Sequence, residues 1–124
     1  MKRIILYLLF SMYLLCNVSA NTNGSFYFPN REIDIGQIPR LQKKIVVVFN
    51  FSNTSTVTGY ITEVKTGCNC VIAHYPKYPI KPNSKEKIYI TLDTSGISGN
   101  FRKNILVRFS DRSYRILYIV GNKS

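Results

Sequence analysis

The chain has 124 residues, of which 17 are Lys or Arg and 6 are Asp or Glu, for a net charge of +11 at neutral pH. That length leaves room for one small core and excludes a second domain. The basic balance favours anionic partners such as acidic glycans or lipid headgroups, but no block of five like charges occurs, which argues against nucleic acid.

At the start, Lys2 and Arg3 precede an apolar run from Ile4 to Cys16, and Val18-Ser19-Ala20 follows. Positive, then apolar, then small is the order of a secretory signal peptide, expected to be cleaved after Ala20 so that residues 1–20 are lost. The apolar run is about a dozen residues, short of the ~20 that a helix needs to cross a bilayer. The alternative is a lipid-modified Cys16, the one reading that brings membrane association. Against it, bulky Leu15 stands where lipoprotein processing wants a small residue. Without residues 1–20, 104 of the 124 residues remain, with a net charge of +9 because Lys2 and Arg3 leave with the signal.

Residues 21–30 are polar and Asn-rich apart from Phe26, Tyr27 and Phe28, and are expected to be a flexible leader to a domain over 31–124. From Glu32 onward, short runs rich in Val, Ile, Tyr and Phe are separated by Gly, Pro, Asn and Ser clusters, which is strand composition. The first predicted strand is Glu32 to Ile38, ended by Pro39. Lys44 to Ser52 is the clearest, with Ile45, Val47, Phe49 and Phe51 on one side and Lys44, Asn50 and Ser52 on the other. Val46 and Val48 make its second face partly apolar, so a central position is expected. Tyr60 to Lys65 and Cys70 to Ala73 follow, then Lys87 to Asp93, in which Ile88, Ile90 and Leu92 share a face. Phe101 to Phe109 and Tyr114 to Val120 close the set, joined by the hairpin-length Ser110-Asp111-Arg112-Ser113. No helical spacing persists, and Pro76, Pro79 and Pro82 interrupt the middle of the chain. The pattern predicts an all-β, immunoglobulin-like two-sheet β-sandwich of about seven strands, with Ile45, Val47, Phe49, Ile88, Ile90, Leu92, Ile105 and Val107 facing inward.

Ordered landmarks along this stretch resemble a known family. Ile35-Gly36-Gln37-Ile38 is similar to an opening Phe-Gly-x-Ile, and Phe49-Asn50-Phe51-Ser52-Asn53-Thr54 to Phe-x-Phe-x-Asn-Thr. Gly67-Cys68-Asn69-Cys70 resembles a Cys-Gly-Cys stretch, Pro79-Ile80-Lys81-Pro82-Asn83 resembles Pro-Ile-x-Pro-Gly, and Gly99-Asn100-Phe101-Arg102-Lys103 resembles Gly-x-Phe-x-Lys. These motifs, with Ile119-Val120-Gly121 at the end, belong to the bacterial domain-of-unknown-function family 1573, an immunoglobulin-like group frequent in exported proteins of Bacteroidetes. Departures occur at Ile35 (for Phe) and at Ser55, Asn69 and Asn83 (each for Gly). Asn is the non-glycine residue that best tolerates positive φ, so both Asn exchanges suit the same turns. The resemblance implies a fold and an exported location, and it brings no catalytic residues.

Cys68, Cys70 and His74 are the one chemical constellation, since these are the only cysteines past residue 20 and His74 is the sole histidine. Three readings stand for it. A disulfide suits an oxidising compartment but requires a tight turn at Asn69, because strand positions two apart lie ~6.5–7 Å from each other. Paired thiolates suit Cu or Zn, with His74 joining only if the chain bends, because an extended strand puts it ~13 Å from Cys70. Ordinary core cysteines are the third. Ser/His/Asp catalysis would have to recruit the one His74 without any Gly-x-Ser-x-Gly elbow, and neither a carboxylate pair nor a phosphate-cradling loop stands out. The expectation is therefore an exported, periplasmic or cell-surface, non-catalytic binding or accessory module of the bacterial cell envelope, with a protein or acidic glycan as partner. The alternative is thiol-redox or soft-metal (Cu or Zn) handling through Cys68, Cys70 and His74.

Overall fold

Alternating apolar and polar side chains build eight strands over residues 24–124, the part of the chain described by this computed structural model. The expected signal peptide 1–20, with Cys16, and residues 21–23 lie outside the described residues. The strands are β1 (Phe26–Tyr27), β2 (Glu32–Ile38), β3 (Lys44–Asn53), β4 (Ile61–Thr66), β5 (Val71–His74), β6 (Lys85–Asp93), β7 (Gly99–Phe109) and β8 (Tyr114–Lys123). They form two four-stranded sheets, sheet A in the order β1-β3-β6-β5 and sheet B in the order β2-β8-β7-β4. Every pairing is antiparallel except β2 with β8. The all-β sandwich expected from the alternation is present.

Between the sheets, residues two apart on each strand face inward and exclude water, which is the main favourable term in a fold of this size. Val47, Phe49, Ile88, Ile90, Leu92, Ile105 and Val107 are buried as expected, while Ile45 is half-buried and packs against that core. Leu117 and Ile119 of β8 complete it.

The described part of the expected leader is corrected by the structure. Phe26 and Phe28 are buried, Phe26 stacked on Phe109 with centroids 4.3 Å apart and Phe28 on Phe51 at 5.1 Å. Two aromatic rings closing one end of the core remove more apolar surface from water than the polar flank can offset, so β1 docks onto β3 at Asn53 and Ser52. Pro29 then carries the chain from sheet A to sheet B.

Turn chemistry follows the residue types at Asn83 and Gly36, whereas Asn69, expected to share the left-handed turn, has no positive φ, and Arg112 adopts one at +68°. Asn83 adopts φ +62°, the left-handed conformation for which Asn substitutes best for Gly. Gly36, at φ +70°, sits in the register shift of β2 between Asp34 and Gln37.

Candidate functional site

Two places are candidates, the cysteine turn and the outer side of sheet A. The turn carries the chain from β4 in sheet B to β5 in sheet A. There Cys68 and Cys70 form a disulfide with their Cα atoms 5.1 Å apart, closer than an extended strand allows, so the expected turn at Asn69 exists. Backbone bonds fix it: the Val71 N–H donates to the Cys68 carbonyl (3.2 Å) and the Asp93 N–H to the Cys70 carbonyl (2.7 Å). The Thr66 hydroxyl adds a bond to the Val71 carbonyl (3.2 Å). Both cysteines are half-buried and pack on the core, while Asn69 is exposed.

His74 does not join them, which corrects the three-residue constellation. Val71–His74 is a strand whose exposed end carries His74, while Cys68 and Cys70 pack against the core. Among the described residues, no group of three or more His, Cys, Asp or Glu side chains gathers in one place. The sulfurs are bonded to each other, whereas a metal needs thiolates, so soft-metal binding would require the reduced pair.

Sheet A presents a different kind of site. β3 pairs with β6 without interruption from Lys44↔Asp93 to Ser52↔Lys85. Among the described residues, β3 meets only β1 on its other side, at Ser52 and Asn53. The expected central strand is therefore an edge over Lys44–Phe51. Half of the N–H and C=O groups of an edge strand point away from its neighbour and form a template for another chain.

The other edges are blunted in the ways native sheets use. A register shift and Asp34 interrupt β2, and a second shift with Glu63 and Lys65 interrupts β4. β5 is four residues long and is soon followed by Pro76. Ile45–Phe51 carries no charge, no Pro, no Gly and no bulge.

Beside this edge lies a partly apolar face. Val46 is 61% exposed, Ile72 55% and Tyr89 44%, in cross-strand rows set by Val46↔Thr91↔Ile72 and Val48↔Tyr89↔His74. Toward β1 the face turns basic. A cleft of about 420 Å³, lined by Tyr27, Pro29, Asn50 and Ser52 with Lys85 and Lys87, opens where β1 leaves β3. A second cleft of about 460 Å³ lies across the same lysines, against His74, Tyr78 and Tyr89. The Tyr78 hydroxyl donates to Glu86 (2.9 Å), and this bond holds the phenol above its usual pKa.

Charge pairing divides the two sheets. Arg102–Glu32, Arg108–Glu63 and Lys65–Glu63, the ion pairs among the described residues, all belong to sheet B. Lys44, Lys85 and Lys87 of sheet A have no described carboxylate within 4.0 Å. Alternation located Lys44 and Lys87 on the outer face, while Lys85 precedes the predicted strand, and nothing in the sequence indicates how little of β3 is covered by β1.

Known structures share the architecture. A crystal structure of a protein of unknown function from Porphyromonas gingivalis W83 superposes with a TM-score of 0.70 at 15% identity, covering 86% of this chain and 50% of that one. This chain thus spans half the length of that protein. The ASH/PapD-like domain 7 of human CEP192 matches with a TM-score of 0.68 at 9% identity, over 87% of this chain and 91% of that one. The Vibrio cholerae VesB protease matches with a TM-score of 0.65 at 8% identity, over 81% of this chain and 32% of that one. Identities this low carry the fold alone, a PapD-like, immunoglobulin-like sandwich. No curated protein matches the chain significantly. The family described as "Protein of unknown function (DUF1573)" matches residues 26–122, which starts at the first strand and ends within the last, and the chain belongs to that family.

Proposed function

We propose that the protein is an exported, non-catalytic binding module of a bacterial cell envelope, and that it engages another macromolecule through sheet A. The observation that carries this reading is the uncovered edge of β3 over Lys44–Phe51, beside exposed Val46 and the Lys85–Lys87 clefts. Export is supported by the basic, apolar, small order of residues 1–20. A PapD-like sandwich belonging to a family of unknown function is compatible with an accessory role. Capture from envelope extract at low and high salt tests the reading. Capture that weakens with salt is expected, because exposed lysines are screened over about 10 Å at 0.1 M. A hydrolytic or transfer activity in the purified protein would overturn it.

A second reading rests on the disulfide. It closes only residues 68–70, and a loop that short stabilises by less than ~2 kcal/mol through chain entropy, so stability is a weak reason for the bond. Reversible thiol exchange is the function it would serve. Thiol titration before and after mild reductant, repeated on Cys70→Ser, separates the two readings.

A further inference from the structure

We infer that the uncovered edge of β3 takes an extended, acidic segment of a partner protein, added as a further strand of sheet A. This rests on the reading of the protein as a binding module and names the partner's chemistry. Strand addition supplies main-chain hydrogen bonds, while side chains pointing alternately to the two faces supply selectivity.

Lys44–Phe51 offers eight residues, a span of roughly 26 Å. Outward side chains of the added strand lie beside Val46 and Val48, where β-branched or other apolar residues pair best. Nearer β1 they meet the cleft of Tyr27, Pro29, Asn50 and Ser52. There Lys85 and Lys87 stand against one carboxylate, Glu86, which already accepts the Tyr78 hydroxyl. At the other end Lys44 faces Asp93, whose carboxylate also accepts the Ser95 N–H at 2.9 Å. The edge is thus flanked by more positive than negative charge, and an acidic strand is its complement.

Other occupants fit less well. A second copy would bring two chains of like net charge together along Lys43, Lys44, Lys85 and Lys87. An acidic glycan would use the lysines and leave the backbone edge bare.

The test is selection of ten-residue peptides from a random display library on the purified protein, followed by binding measurements on the enriched sequences. Enriched sequences are expected to carry apolar residues at the outward positions beside Val46 and Val48 and Asp or Glu at the outward positions toward Lys85 and Lys87, two apart along the strand, and to lack Pro. Affinity should fall at least tenfold when alternate peptide amides are N-methylated, and by a similar factor in the exposed-site variants Val46→Lys and Lys85→Glu/Lys87→Glu. Circular dichroism confirms that both variants remain folded.

No enrichment, non-acidic enriched sequences, or binding indifferent to N-methylation and Val46→Lys would each overturn the proposal. So would a dimer broken by Val46→Lys, which assigns the edge to a second copy. Binding of polygalacturonate that is lost in Lys85→Glu/Lys87→Glu but kept in Val46→Lys assigns the face to a glycan. In these last two cases the binding-module reading survives. That reading falls separately, if envelope extract yields no capture at any salt.

Discussion

Asn53 ends β3 wholly buried, with each of its side-chain groups bonded. Its amide donates to the carbonyls of Val57 (2.9 Å) and Ile80 (3.0 Å), while its oxygen accepts the Ser55 N–H (3.0 Å) and hydroxyl (2.8 Å). One side chain thereby holds the turn after β3, where Ser55 stands in place of the family's Gly. Asn53→Ala removes these four bonds, although the Ile80 carbonyl keeps the Gly59 N–H (3.1 Å) and the Val57 carbonyl keeps the Ser55 hydroxyl (2.8 Å), and should cost about 1–3 kcal/mol, read as a lower urea midpoint at unchanged slope. Asp111 plays a comparable part outside the core, accepting the N–H groups of Ser25 (2.8 Å) and Ser113 (2.9 Å) and the Ser113 hydroxyl. Burial pushes its pKa up, but the hydrogen bonds from Ser113 and Ser25 outweigh this and leave it below the usual value. A carboxyl with a lowered folded pKa stabilises fully above its unfolded value of about 3.9, and that contribution is lost as pH falls through the folded pKa. Asp111→Asn should therefore lower stability at pH 7 and flatten the acid limb below about pH 4. An unchanged acid limb would remove Asp111 from the account.

Seven of the eight strands are legible from β-branched and aromatic runs between turn clusters, and β3 and β6 also from alternation, because one buried face forces a period of two on the sequence. β1 is not, since two residues hold no period and its polar flank reads as leader. Its importance appears only when Phe26 and Phe28 are seen against Phe51 and Phe109. Phe26→Ala should cost about 3–5 kcal/mol, as for a buried core aromatic, whereas a flexible leader would tolerate it with no change in urea midpoint. Pairing order was equally hidden: periodicity tells which face is inside but not which strand lies alongside, so β3 reads as central although β1 covers only its end. The cysteine turn was half legible. Spacing excluded a disulfide on an extended strand and required a bend, and hydrogen bonding around Thr66, Cys68 and Val71 supplies it. Cys70→Ser should leave the fold intact with a loss under ~2 kcal/mol, because the closed loop is so short. A loss of 4 kcal/mol or more would mean that the disulfide organises the β4–β5 crossover beyond its entropic share.

Across the whole molecule, charge is divided by sheet. Sheet B pairs Lys65, Arg102 and Arg108 with Glu32 and Glu63 and caps Tyr118 with Arg102 at 4.1 Å, while in sheet A Lys44 lies across from Asp93, and Lys85 and Lys87 have no described carboxylate within 4.0 Å. Among the described residues, the same sheet has the one long edge without a bulge, Pro or inserted charge. Net charge favours an anionic partner of any kind, and only the coincidence of free lysines with a free backbone edge narrows that to an extended chain. Amide hydrogen exchange, with and without an acidic peptide selected on the protein, tests this coincidence most directly. Slowed exchange at alternate amides within Lys44–Phe51, with β2 and β4 unchanged, is the predicted result. Protection confined to β2, β4 or the cysteine turn, with Lys44–Phe51 exchanging as in the free protein, would contradict it.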